Sequence, residues 1–234
     1  MKLKQIGLHL NAVLDANQTT PLSFIDTLLK LTDYEREVKE HNVTNAMIKV
    51  AAFPHLKTLN DFDFAFQEAI SKDQILDLSS LRFLEKQENI VFQGSSGVGK
   101  THLAISIGII AAQNRNSTYF IKCHDLIQNL KAAHAENRLE AKLKTYAKYR
   151  VLIIDEIGYL PLAADDAKMF FQLIDKRYEK KSTIFTTNAS FQSWIDIFQD
   201  PMIANAIVDR VLHHATVINI VGHSYRLKNH LQQD

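Results

Sequence analysis

The eight residues Gly94-Ser-Ser-Gly-Val-Gly-Lys100-Thr101 constrain this chain more than any other stretch. A short apolar run, Asn89-Ile-Val-Phe-Gln93, precedes them, and an amphipathic run from His102 to Ala112 follows. Strand, glycine loop and helix is the setting in which G-x-x-x-x-G-K-[ST] marks a phosphate-binding loop. The glycines let successive backbone N–H groups turn inward, and the start of the helix adds a positive field. Lys100 is placed to reach the β- and γ-phosphates of a nucleotide, and the Thr101 hydroxyl to ligate Mg²⁺. Three of the chain's seven glycines fall in these eight residues, which argues against a chance Lys-Thr after a turn.

The rest of the chain is compatible with a globular fold around that loop. Its 234 residues allow one large domain or a small one beside a medium one, and 46% apolar residues suffice for a substantial core. A net charge of +1 excludes a uniformly basic nucleic-acid coat but leaves room for a local basic face. The single Cys123 cannot form an internal disulfide, reads as a small buried hydrophobe, and fits a reducing compartment. No apolar run approaches the ~20 residues of a membrane span, and no leader pattern opens the chain. A soluble, cytoplasmic protein with no membrane contact is expected.

Residues 1–20 show little pattern, and Asn17 to Pro21 reads as loop. Ser23-Phe-Ile-Asp26 resembles a capping box that opens a helix with Phe24, Leu28, Leu31 and Tyr34 at helical spacing. A second helix is expected over 44–52, ended by Phe53-Pro54, and a third over 71–86. Phe62, Phe64 and Phe66, alternating with other residues, suggest a segment laid along the edge of a core. From Ile90 the pattern becomes strands alternating with helices, the mark of a parallel α/β sheet. Strands are expected at 90–93, 117–122, 150–155, 182–187 and 216–221, with helices at 100–114, 124–134, 138–148, 164–180, 191–198 and 201–213. The fold class is therefore α/β: a P-loop core with a five-stranded parallel sheet flanked by helices, preceded by a small all-α domain. The boundary is set near residue 70, giving 1–69 and 70–234.

Three further stretches carry chemistry. Val151-Leu-Ile-Ile154 reads as a central strand buried on both faces, with Asp155-Glu156 at its carboxyl end, where open parallel sheets bind ligands. Asp155 is suited to hold Mg²⁺ and Glu156 to orient or deprotonate an attacking water. The strand 182–187 ends on Asn188, which either positions that water or caps the next short helix. Arg210 and Arg226 are candidate cations for transition-state charge. Arg210 should project outward from a helix whose apolar face holds Ile203, Ala206, Ile207 and Val211, where a surface ion pair is the bland alternative.

The joint pattern resembles the IstB-like AAA+ ATPases, helper proteins of insertion-sequence transposition related to the helicase loader DnaC and the initiator DnaA. It comprises Gly94 to Thr101-His102-Leu103-Ala104, Leu152 to Gly158-Tyr-Leu-Pro-Leu162, Phe171-Gln-Leu-Ile, Arg177-Tyr-Glu, Ser182-Thr-Ile and Thr187-Asn188. It continues through Trp194, Phe198-x-Asp200-Pro201, Asp209-Arg210-x-x-His213-His214-Ala and Ser224-Tyr-Arg226-Leu-Lys. The likeness covers almost the whole chain, including Leu22-Ser-Phe through Phe62-Asp-Phe64. Ser95-Ser96 stands where Pro-Pro is common and Val98 where Thr is common; neither change removes a backbone phosphate contact. The resemblance implies an ATPase that uses ATP and Mg²⁺, with nucleotide held by Gly94, Ser95, Ser96, Gly97, Val98, Gly99, Lys100, Thr101 and His102. Thr101 and Asp155 would hold the ion, and Lys100 and Glu156 would act in hydrolysis. Asn188 would match sensor 1, Arg210 a finger acting on a neighbouring subunit, and Arg226 a sensor 2-like arginine. It also implies ATP-bound homo-oligomers on duplex DNA that stimulate a partner transposase, with the N-terminal helices making oligomer or partner contacts. A replicative helicase is the alternative client.

The residues themselves offer a candidate DNA face in Arg138, Lys142, Lys144, Lys148 and Arg150, among which only Glu140 is acidic. The stripe is imperfect on a helix, and a solvated surface explains it as well as phosphate neutralisation does. His213-His214, read as part of a helix, should point in different directions, so no metal site is expected there. A small-substrate kinase is disfavoured because no arginine-rich lid is evident, and a non-catalytic scaffold because Lys100, Thr101, Asp155 and Glu156 are all present.

Overall fold

A computed structural model describes residues 3–159 and 161–228. Two compact units divide at Met47/Ile48. In the first, helix α1 (Lys4–Thr19) precedes the start of α2 (Phe24–Val50). The expectation of little structure before Pro21 is thus corrected: Ile6, Leu10 and Val13 keep helical spacing despite Gly7, and Val13 is buried. Ser23 caps α2 as its spacing suggested, accepting from Asp26 N at 3.1 Å and donating to Asp26 Oδ2 at 2.6 Å. The expected pair of helices is a single one, because no Gly or Pro interrupts Phe24 to Val50. Glu35 joins α2 to α1 by accepting from Gln5 N at 2.9 Å, with Lys39 3.3 Å from its other oxygen. Burial acts to raise the Glu35 carboxyl, but these partners prevail and hold it below the ordinary range.

The second unit begins at Ile48, well before the boundary near 70 that the sequence suggested. Residues 51–66 belong to it because they are fastened to the sheet and its helices. Phe120 N donates to Ala51 O at 2.8 Å, Ser106 Oγ to Lys57 O at 3.1 Å, and Phe53, Leu59, Phe62 and Phe64 pack on the core. The expected helix over 71–86 is instead two, α3 (Lys72–Ser79) and α4 (Arg82–Glu85), broken where Leu81 takes a left-handed φ of 65°.

Five strands follow: β1 (Asn89–Gly94), β2 (Thr118–Lys122), β3 (Val151–Ile157), β4 (Ser182–Thr187) and β5 (Ala215–Ile220). They form one parallel sheet in the order β2-β3-β4-β1-β5. The helices between them are α5 (Lys100–Gln113), α6 (Cys123–Ala135), α7 (Leu139–Lys148), α8 (Ala164–Arg177), α9 (Trp194–Phe198) and α10 (Pro201–Leu212). Alternation along the strands builds two cores. Val91, Leu152, Ile154 and Phe185 face α6 to α10, while Ile90, Phe92, Ile153 and Ile184 face α3 to α5. Burial on both faces explains the unbroken aliphatic run in β3.

A buried arginine ties several elements together. Arg177, 2% exposed, donates to Thr183 Oγ1 (2.9 Å), Tyr146 O (3.0 Å), Tyr149 O (2.8 Å) and Ser182 O (2.5 Å). It thereby ties the end of α8 to the chain leaving α7 and to β4. Burial pushes its guanidinium down to about 9, which leaves it charged at neutral pH.

Candidate nucleotide-binding site

The strand order sets the carboxyl ends of β1, β4 and β3 side by side, and the glycine loop leaves the first of them. Gly97 and Gly99 adopt φ of 82° and 102°, backbone that side chains rarely take. A Cβ on either would also collide, on Gly97 with Ser224 and on Gly99 with the Phe62 ring. The loop is therefore clasped from two sides, by 58–62 and by the turn at 224–226, where Tyr225 N donates to Gly97 O at 3.0 Å. Lys100 Nζ donates to Gly94 O (2.8 Å) and Ser95 O (2.6 Å). Burial lowers the Lys100 ammonium, and the nearby Asp155 works against that.

Asp155 is the centre of the polar network. It is 1% exposed and its Oδ1 accepts from Thr101 Oγ1 at 2.8 Å and from Thr186 Oγ1 at 2.6 Å. Burial raises its carboxyl, and the two hydroxyls oppose the rise. Thr186 Oγ1 also accepts from Glu156 N at 2.9 Å, so one threonine on β4 fixes both acidic residues of β3. Glu156 stands at φ 63°, where the β3–β4 register shifts between Ile154 and Ile157. This bulge breaks the alternation, so that Glu156 is half-exposed between the buried Asp155 and Ile157. Lys122, the last residue of β2, meets Glu156 Oε2 at 2.9 Å, and that bond raises the Lys122 ammonium.

These residues line a cleft of about 320 Å³. Of the residues expected from sequence, Ser96, Gly97, Val98, Gly99, Lys100, Thr101, His102, Asp155, Glu156, Asn188 and Arg226 all line it. Gly94 and Ser95 are not among its lining residues; their carbonyls hold Lys100. His102 Nε2 is 2.8 Å from Thr58 O, so this side chain also fastens the 58–62 segment. Arg210 lies elsewhere, on α10, with Nε donating to Asp175 Oδ1 at 3.0 Å and its guanidinium 4.6 Å from the Phe171 ring centre. The basic run is broken up: Arg138 pairs with Glu136, Lys144 and Lys176 share Glu140, Lys142 lies over Tyr146, and Arg150 reaches Leu84 O.

Several cleft residues escaped the sequence reading. Lys122 and Thr186 are visible only once register sets strand ends against each other. His55, Phe62 and Gln67 come from the segment read as core edge, and Tyr225 from beside the expected Arg226. His55 Nδ1 and Gln67 Oε1 are buried polar atoms without a protein partner. Burial, with Lys57 and His102 near it, lowers the His55 imidazole. Unmatched polar atoms in a cleft beside a glycine cradle fit a ligand that carries hydrogen-bonding edges as well as phosphates. The hydroxyl of Thr101 and the carboxylate of Asp155 fit Mg²⁺, which takes few protein oxygens beside phosphate and water.

Known proteins agree with this geometry. The family described as IstB-like ATP binding protein matches residues 1–233. A protein of Bacillus thuringiensis subsp. berliner, named as an ATP-binding protein of insertion sequence IS232, is 64% identical over 234 residues, covering 100% of this chain and 94% of its own. Its counterpart from insertion sequence IS5376 of Geobacillus stearothermophilus is 41% identical over 96% of this chain and 89% of its own. Among solved structures, the DnaC helicase loader (28% identity, TM-score 0.54) covers 64% of this chain and 90% of its own. DnaI shares the fold at 22% identity and a TM-score of 0.60, over 75% of this chain and 93% of its own. The core is thus that of the DnaC and DnaA P-loop AAA+ proteins, and no helix among the described residues is long and apolar enough to cross a membrane. With the phosphate loop, the acidic strand end and this likeness over its whole length, the chain belongs to the IstB-like ATP-binding proteins.

Proposed function

We propose that the chain is a Mg²⁺-dependent ATPase that assembles on duplex DNA and acts on the transposase of an insertion sequence. The observation that carries hydrolysis is the double use of Thr186, which holds Asp155 inward and Glu156 outward at one strand end. In this reading Lys100 exchanges its loop carbonyls for phosphate oxygens, and the loop N–H groups bear the remaining charge. Thr101 and Asp155 would hold Mg²⁺, which would supply positive charge against the phosphates. Glu156 accepts the proton of the attacking water, and Asn188 orients that water from the end of β4. Arg226 faces the cleft from the turn that clasps the loop and adds positive charge there. Relatives named from insertion sequences support the transposase as client, and the N-terminal helices are the proposed place for subunit or partner contacts. The basic residues Arg138, Lys142, Lys144 and Lys148 remain the proposed DNA contacts, which would require the ion pairs of Arg138 and Lys144 to yield. A second reading, a loader for a replicative helicase, is favoured only by the likeness to DnaC; affinity capture with transposase and helicase as competing baits separates the two.

The test uses two substitutions. Lys100→Ala is expected to abolish nucleotide binding and DNA-dependent assembly together. Glu156→Gln is expected to keep both and to lose turnover by about 10²–10⁴-fold. A Glu156→Gln protein that hydrolyses ATP at the wild-type rate overturns the role given to Glu156.

A further inference from the structure

Away from the cleft, three side chains converge where the turn after α8 meets the turn before β5. Because α10 ends at Leu212, His213 and His214 lie in that turn and not in the helix body, which removes the reason for expecting them to diverge. Their ring centroids are 3.9 Å apart with planes tilted by 42°. Glu179, at a left-handed φ of 55°, presents Oε1 to both, 3.4 Å from His214 Nε2 and 3.8 Å from His213 Nδ1. One ligand atom from each residue lies within 4.8 Å of the other two.

We propose that Glu179, His213 and His214 bind a divalent transition-metal ion of the Zn²⁺ class. The separations are the first argument. Both are longer than a good hydrogen bond, yet a tetrahedral ion with bonds of ~2.0–2.2 Å sets its ligand atoms roughly 3.4 Å apart. Donor chemistry is the second: two imidazoles and one carboxylate suit Zn²⁺, Co²⁺ or Ni²⁺, whereas Mg²⁺ takes oxygen. The backbone is the third, since it fixes all three positions without an ion. His214 O accepts from Asn89 N at 2.7 Å, His213 N donates to Asp209 O at 2.9 Å, and Lys180 N and Lys181 N both donate to Arg177 O at 3.0 Å. The side chains are about half exposed, which leaves an approach from solvent and a fourth position for water. Tyr178 Oη, now 2.5 Å from His213 Nδ1, is the group the ion displaces. Bound there, the ion clamps the end of α10 to the end of α8, one turn beyond the Arg210–Asp175 pair on the same two helices.

The site is separate from the nucleotide cleft, so its test needs neither ATP nor DNA. The tag-free full chain, stripped with a chelator, is titrated with Co²⁺. The expected result is one equivalent bound, with visible absorption of four-coordinate intensity that added Zn²⁺ abolishes. His213→Ala, His214→Ala and Glu179→Gln should each weaken binding by more than the roughly 10–100-fold typical of an outer-shell change. His134→Ala, an exposed histidine on α6, should not. Zn²⁺ should raise the melting temperature of the wild type and of His134→Ala but not of the double variant His213→Ala/His214→Ala. No saturable Co²⁺ binding by the wild type, or equal binding by the double variant, overturns the proposal.

Discussion

Glu156 shows how much chemistry depends on a single backbone position. A side chain other than glycine at φ 63° is strained by about 1–3 kcal/mol, and here the strain turns a carboxylate out of the sheet toward the cleft. Lys122 then engages it at 2.9 Å. A carboxylate oxygen occupied by an ammonium is not free to accept from a water, so in the proposed reading the pair would restrain hydrolysis. Lys122→Met is expected to raise ATP turnover measured without DNA and to shrink the stimulation by DNA that the proposed function implies; an unchanged basal rate counts against the restraint. The sequence made Asp155 and Glu156 legible because a buried aliphatic strand must end on its polar residues at the ligand edge. It could not reveal Lys122 or Thr186, since a lysine at one strand end and a threonine inside another gain meaning only from the register of β2, β3 and β4.

Among the elements, the sheet was the most legible part, because strict alternation and buried runs leave few other ways to pack. The helices before it were less so. The spacing of Ile6, Leu10 and Val13 in α1 is interrupted by Gly7, and the charges from Asp33 to Glu40 disguised the continuity of α2. The break at Leu81 has no glycine or proline to announce it. Arg177 holds elements together, because its donors satisfy oxygens from α7, the turn after it and β4 at once. Arg177→Met keeps the volume but strands those oxygens. A loss of roughly 3–5 kcal/mol is expected by analogy with breaking a buried charge pair, read as a lower denaturation midpoint at unchanged m-value. A loss below about 1 kcal/mol would mean that water replaces the guanidinium.

At the scale of the whole molecule, the cleft is furnished from one chain except for the trans arginine that the family likeness implies. Arg210, bonded to Asp175 and stacked on Phe171, is outside its own cleft. If it acts on a neighbour, Arg210→Ala and Lys100→Ala are each inactive alone but regain DNA-stimulated ATPase when mixed, since one supplies the cleft and the other the arginine. Mixtures as silent as their parts would return Arg210 to a purely structural role. A last consequence concerns β5, which among the described residues lies at the sheet's edge beside β1 and runs on into the turn that clasps the phosphate loop. An edge strand opens more easily than an inner one, and a ligand that engages the closed form slows that opening by mass action. The amides of Ala215 to Ile220 should therefore exchange with deuterium more slowly when Mg-ATP is added to Glu156→Gln, while those of β2, the opposite edge, change less. By that route the edge strand would register what the glycine loop holds.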